Sequence, residues 1–430
     1  MTATALAASG LLFVLLLNAM PVAFAMLVAG SVGLYLVGGI FPLVGVLKSG
    51  PYEHVASFTL STLPMFVLVG EFLTAGRFTR DLFDTSQRWL GHIRGGMAYA
   101  AVAGGVLLSA ISGSSAAAAA MLSSAAYPEM KRLGYADSFS TATLAVVGTL
   151  AIMIPPSIGL VLFGVFTETS VGALLIAGIG PGLLTAAGYV VAIRWAVGRR
   201  PELAPGVTPR TTVGEKFSSL KQTWPVFLLL FGMVGGIYSG AITPTEVGAV
   251  GSLAALVLAL LMRRMDWAAF RGALGAAART SSMILTIIAC SVVFGTFLTM
   301  TGATQSLIAQ VQAWSVPPMV VLLCVLAFLL VLGFFLDQLA ILVLTLPLVF
   351  PLLSGLGFDP VWLGVLYVKT AEIGFITPPM GLNGFVVAGA TGVPARVVFR
   401  GIWPFIAAEA VILSLLVAFP SITLWLPGQM

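Results

Sequence analysis

The stretch SAISGSSAAAAAMLSS, Ser109 to Ser124, puts Ser-Gly-Ser-Ser in the middle of what is otherwise an apolar run. Its surroundings decide how it reads. Of the 430 residues, 59% are hydrophobic and only 8% are charged, and the mean hydropathy is +1.09. Soluble domains carry about 25% charged residues, so this chain cannot cover itself with a water-facing surface. Helices that satisfy their own backbone in lipid are the remaining class. The alternating ten-residue pattern of an outer-membrane barrel is missing. A polar tetrapeptide at membrane depth therefore needs a structural reason.

The flanking charges supply one. Upstream lies the basic amphipathic segment with Arg77, Arg80, Arg88 and Arg94, and downstream lies Lys131-Arg132. Basic residues between apolar runs mark the cytoplasmic side, so both ends of residues 97–127 belong there. A crossing needs roughly 20 residues, and a break at Ser112–Ser115 leaves two arms of about 15. This fits a re-entrant hairpin with Ser-Gly-Ser-Ser at its tip. The net charge of +5 is thus a topology signal and gives no reason to expect a nucleic-acid partner.

The same walk gives the rest of the layout. Residues 1–56 hold N-terminal scaffold helices, with "NAMP" (Asn18–Pro21) as a tight turn, and 57–193 form a first repeat with a broken helix at about 139–166. Residues 194–224 are a polar, basic cytoplasmic linker, 225–280 are further scaffold helices, and 281–424 form a second repeat. There the charge pattern changes sign. The apolar run 318–352, broken near Asp337, is followed by a loop with Asp359 and no Lys or Arg, so this hairpin enters from outside. A second broken helix covers about 361–390. The sum is ten crossings and two hairpins with both termini outside. The first basic residue is Lys48, which argues against a cleaved signal peptide.

The halves align at an offset of 223: Pro128 with Pro351, Pro155-Pro156 with Pro378-Pro379, and Gly178-Ile179 and Pro181 with Gly401-Ile402 and Pro404. Upstream, the two "FLT" triplets at Phe72 and Phe297 are 225 apart. Opposite orientations of the copies make this the inverted-repeat signature of secondary transporters, which bind their cargo at broken helices near the midplane. Ser112–Ser115 then aligns with Phe335–Gln338, and the proline pairs remove donors and disfavour helix just before them.

Taken together, "NAMPVAFA", "SGSSAAAAA", "IPPS", "ITPTE" and "TPPMGLN" resemble the large membrane subunit of tripartite ATP-independent periplasmic (TRAP) transporters, over essentially the whole chain. The resemblance implies an all-α, inverted-repeat, elevator-type carrier in the bacterial inner membrane. It implies sodium-coupled uptake of an organic acid, with sodium ions and no other cofactor. It also implies two protein partners, a small four-helix membrane subunit and a periplasmic substrate-binding protein. Some relatives carry Asn where this tip has only Ser and Gly. Hard cations take oxygen ligands, so the implied first sodium site comprises Ser112, Gly113, Ser114 and the backbone at Ala151, Ile154 and Pro156. The second comprises Asp337, Gln338, Gly374, Thr377 and Pro379. Substrate contacts fall to Ser114, Ser115, Ser157, Gly381 and Asn383.

Several residues carry simpler readings as well. The tip serines and alanines also suit close helix packing. Asn383 either binds substrate or caps freed backbone. Lys369 and Glu372, three apart, are expected to pair. Thr243-Pro244-Thr245-Glu246 reads as a capping box, Glu71 as a partner of a basic neighbour or of the small subunit, and His54 and His92 as interfacial. Cys290 and Cys324 lie in apolar runs and read as small buried thiols. Walker, HExxH and GxSxG signatures are missing, so no enzyme and no ATP motor is encoded. The alternative function is a stand-alone anion carrier or sodium/proton antiporter of related architecture.

Overall fold

The computed structural model describes residues 3–314 and 316–430; Met1 and Thr2, at the start of the expected N-terminal scaffold, and Ser315 lie outside the described residues. Among the described residues there is no strand. Helices α1 (Ala3–Leu17) and α2 (Val22–Gly38) are parted at Pro21, which has no N–H to continue a helix. α3 (Ile40–Val55) follows Gly39, whose φ of 73° suits a residue without Cβ. α4 (Thr62–Ala75) and the short amphipathic α5 (Phe78–Leu90) meet at a left-handed Arg77.

Next come α6 (Gly96–Ser112), α7 (Ser115–Arg132), α8 (Asp137–Val147), α9 (Leu150–Met153), α10 (Ile158–Thr167), α11 (Val171–Ala177) and α12 (Ile179–Arg199). α13 (Val213–Tyr238) and α14 (Pro244–Leu261) both begin with complete capping boxes, Thr212 with Glu215 and Thr243 with Glu246. α12 running to Arg199 and α13 starting at Val213 take back both ends of the expected linker, so only about residues 200–212 run without long helix. Then come α15 (Trp267–Met300), α16 (Ala303–Ala313), α17 (Pro318–Gly333), α18 (Gln338–Gly355), α19 (Pro360–Ile376), α20 (Leu382–Thr391), α21 (Ala395–Gly401), α22 (Trp403–Ala418) and the short α23 (Ser421–Leu424). The expected boundary at 280 falls inside α15, a single helix of 34 residues. No proline or glycine pair interrupts it there.

The repeat is visible element by element. α7 and α18 are both 18 residues long and start 223 apart. α8 starts at Asp137 and α19 at Pro360, 223 apart again, and α9 and α19 end at Met153 and Ile376. Each is followed by an extended residue, Ile154 or Thr377, and a cis proline pair, Pro155-Pro156 or Pro378-Pro379. α10 and α20 have ten residues each, and α11 and α21 seven. The left-handed turn at Arg77 returns at Gly302, 225 residues on. The copies differ by the additional Met380 and by a break at Gly148-Thr149 that α19 lacks.

Burial runs opposite to that of a water-soluble domain only at the rim. α8, α9, α10 and α19 form the centre, and every residue from Trp362 to Ile376 is buried. The periphery exposes large apolar side chains, with Leu17 at 86%, Phe41 at 87% and Leu261 at 75%. Such a surface suits lipid and not water. α2 and α4 pack on α15, and α4 also packs on α14. At the first of these contacts Gly30 lies so close to Phe294 that a Cβ would sit 2.7 Å from its backbone nitrogen.

Six segments among the described residues are long and apolar enough to cross a bilayer, and two bent pairs raise the number to eight. The pairs are Asp137–Met153 with Ile158–Thr167, bent by 41°, and Ala395–Gly401 with Trp403–Ala418, bent by 53°. The protein is thus multi-pass. The ten expected crossings included α1 and α2, whose 15 and 17 residues fall short of the roughly 20 that span hydrocarbon. α18, the second arm of the expected second hairpin, meets the same length criterion by itself.

Candidate functional site

The first tip is built by a tight helix-to-helix turn. Gly113 ends α6 with φ 56°, and Ser114 is extended and caps α7, its hydroxyl accepting from Ala117 N–H at 3.4 Å. Ser112 Oγ donates to the Ser114 carbonyl at 3.0 Å. A Cβ on Gly113 would come within 3.4 Å of the Pro156 carbonyl, so the tip sits against the first proline break. Of the break residues, Ala151, Ile154, Pro156 and Ser157 are all buried. Ser157 caps α10 by accepting from Leu160 N–H at 3.2 Å.

The second tip repeats the design. Asp337 stands 223 residues after Ser114 at the corresponding position, and its Oδ1 accepts from Ala340 N–H at 2.9 Å to cap α18. Its side chain is exposed, whereas Gln338 beside it is buried with neither amide atom hydrogen-bonded. Gln338 Nε2 faces Gly159, where a Cβ would stand 2.4 Å away. The second tip therefore meets the helix that follows the first break.

The reciprocal contact is made by Asn383. Its Nδ2 donates to Ser115 Oγ at 2.6 Å and to the Ala145 carbonyl at 3.2 Å, while its Oδ1 is buried without a partner. α20 thus packs on α7 and α8, and α10 on α18. Each tip helix is held by the post-break helix of the other half. Of the predicted residues, the packing brings Gly113 to Pro156, Gln338 to the start of α10 and Asn383 to Ser115. Gly374 is set apart from the others by packing: a Cβ there would lie 2.6 Å from Gly333 Cα, so it lets α17 approach α19. Its carbonyl accepts from Thr377 N–H at 3.0 Å. Thr377 Oγ1 donates to the Ile373 carbonyl at 2.5 Å, and Gly381 N–H to the Thr377 carbonyl at 3.1 Å. Pro379 is exposed at the break.

One expectation is corrected. Lys369 does not pair with Glu372 on its own helix; its Nζ lies 2.6 Å from Glu409 Oε2 on α22 and donates to Thr185 Oγ1 at 2.9 Å on α12. Glu409 Oε1 accepts from Tyr189, which also shares a 2.8 Å bond with Thr149 at the start of α9. Lys369, Glu372 and Glu409 are each only 1% exposed. Residues three apart on a helix are neighbours, but a well-placed carboxylate from a third helix won here. The sequence reading missed Glu409, Tyr189, Thr185 and Thr149. The available signal was an acid in the middle of the apolar run 402–420. Cys324 is also exposed, not buried, while Cys290 is buried as expected, and both thiols are free. The field of Arg279 reaches Glu71.

Two cavities flank this centre. One of about 940 Å³ runs along α7 from Ala120 to Arg132 against α5, with Arg77, Arg80, Asp84 and Glu129 in its walls. Another of about 840 Å³, with Glu53, His54, Glu168 and Thr245, lies between α3, α10, α11 and α14.

Comparisons of the sequence with known proteins agree on one family. Residues 9–422 match the family model described as tripartite ATP-independent periplasmic transporter, DctM component. The chain is 37% identical to the C4-dicarboxylate TRAP transporter large permease of Pseudomonas aeruginosa, over 88% of each chain. It is 32% identical to the sialic acid TRAP transporter large permease of Vibrio cholerae, over 87% of each. The ectoine permease of Halomonas elongata is 29% identical over 96% of each. Among solved structures, the fold is similar to the Alcanivorax borkumensis YdaH transporter, with TM-score 0.61, 14% identity and 89% coverage of both chains. The chain belongs to the tripartite ATP-independent periplasmic transporter family, as its DctM component, the large permease.

Proposed function

We propose that this chain is the translocating subunit of a sodium-coupled TRAP transporter in the bacterial inner membrane, taking up an organic acid by an elevator movement. The observation that carries the reading is the crossed packing in which each tip helix, α7 or α18, is held by the helix that follows the proline break of the other half, through Asn383 on Ser115 and Gln338 at Gly159. Irregular backbone at membrane depth is tolerated where it is buried in protein or lines a site. The two hairpins enter from opposite faces and, with the broken helices, make up the moving body. α1–α4 and α13–α15 are the frame against which it slides.

Sodium binds at the tips, at Ser112, Gly113 and Ser114 with the break at Ala151, Ile154 and Pro156, and at Asp337 and Gln338 with the break at Gly374, Thr377 and Pro379. The acid is held between them by Ser114, Ser115, Ser157, Gly381 and Asn383. Named relatives carry C4-dicarboxylates, sialic acid and 2,3-diketo-L-gulonate, which supports a carboxylate cargo. Arg77 and Arg80 in the cavity beside α7 suit the exit of such an anion. A periplasmic binding protein delivers the cargo, and a small membrane subunit completes the frame. The test is uptake into proteoliposomes holding the three components, with the ligand of the binding protein as cargo. Accumulation that follows an inward sodium gradient is expected, and uptake indifferent to sodium would contradict the coupling.

A further inference from the structure

We propose that Glu372, in the second half of the chain, supplies the negative charge of the first cation site. This rests on the sodium-coupled reading above. The first-site groups named there are all hydroxyls and backbone atoms, none of them charged, whereas the second has Asp337. Glu372 lies on α19, five residues before Thr377, and the Ser115 hydroxyl of the first tip acts on its carboxylate together with Lys369 and Glu409. Ser115 directly follows Ser114 and is itself fixed by Asn383 at 2.6 Å.

The cluster leaves the carboxylate of Glu372 without a counter-charge of its own. The buried cluster holds one lysine and two carboxylates, Lys369, Glu372 and Glu409. Lys369 is committed to Glu409 at 2.6 Å, and the other Glu409 oxygen is taken by Tyr189. Among the described residues neither Glu372 oxygen has a partner in hydrogen-bonding geometry. A buried carboxylate without a donor is strongly unfavourable. A sodium ion in the adjoining tip relieves that penalty, and by the same interaction the carboxylate raises the affinity of the tip for sodium. One half of the repeat thereby contributes the charge and the other the ligating oxygens.

The purified full chain is titrated with sodium chloride against choline chloride at constant ionic strength, and its thermal midpoint is followed for the wild type, Glu372→Gln, Glu372→Asp and Ser115→Ala. The wild type should be stabilised by sodium specifically. Glu372→Gln, which removes the charge at constant shape, should fold normally but shift the sodium half-saturation upward by about tenfold or more. Glu372→Asp should recover part of the affinity. A purely structural role for Glu372 would move the midpoint without moving the half-saturation. Unchanged half-saturation in Glu372→Gln, with a sodium response in the wild type, overturns this inference alone. No sodium-specific response in the wild type overturns both it and the sodium-coupled reading.

Discussion

Lys369 and Glu409 form an ion pair in the driest part of the molecule, and Asn383 ties the first tip to the second half. Removing one partner of a buried pair leaves an uncompensated charge, which typically destabilises by about 3–5 kcal/mol. Lys369→Met and Glu409→Gln singly are therefore expected to unfold far more readily in detergent. The double change Lys369→Met with Glu409→Leu should recover most of the loss. If the singles match the wild type, the pair does not carry the stability assigned to it. Asn383 was legible as a residue of interest but open in role. The structure settles what it touches, Ser115 and Ala145, because a contact between residues 268 positions apart leaves no local trace in sequence.

At the scale of elements, the breaks and tips were legible because proline and glycine act locally. Pro155-Pro156 and Pro378-Pro379 end their helices, and Ser114 and Asp337 cap the ones that follow the tips. The basic stretch 194–224 reads as linker although α13 starts within it, and the boundary at 280 falls inside α15. In fact Thr212 and Glu215 form a capping box and Asp266 caps α15 through Ala269 N–H at 2.7 Å. Packing between elements gives a further prediction. Gly333 and Gly374 let α17 and α19 touch backbone to backbone, and a methyl there must push the helices apart. Gly374→Ala is expected to cost about 1–3 kcal/mol and to depress uptake, read by thermal unfolding and transport together. Wild-type stability in that variant would show that the contact is slack.

At the scale of the whole molecule, the repeat could be read from the sequence because four prolines kept one register, 223 residues apart. The crossed packing of the halves could not, since it depends on how two copies interdigitate. Opposed orientation of the copies underlies the two-faced entry of the hairpins and hence the transport reading. It predicts that the turn after α7 and the turn after α18 lie on opposite sides of the membrane. The direct measurement is labelling by a membrane-impermeant thiol reagent in oriented vesicles, with Cys290 and Cys324 first replaced by serine. Arg132→Cys should react only from the cytoplasmic side and Phe358→Cys only from the other. Reaction of both from the same side would contradict the inverted repeat and the mechanism built on it.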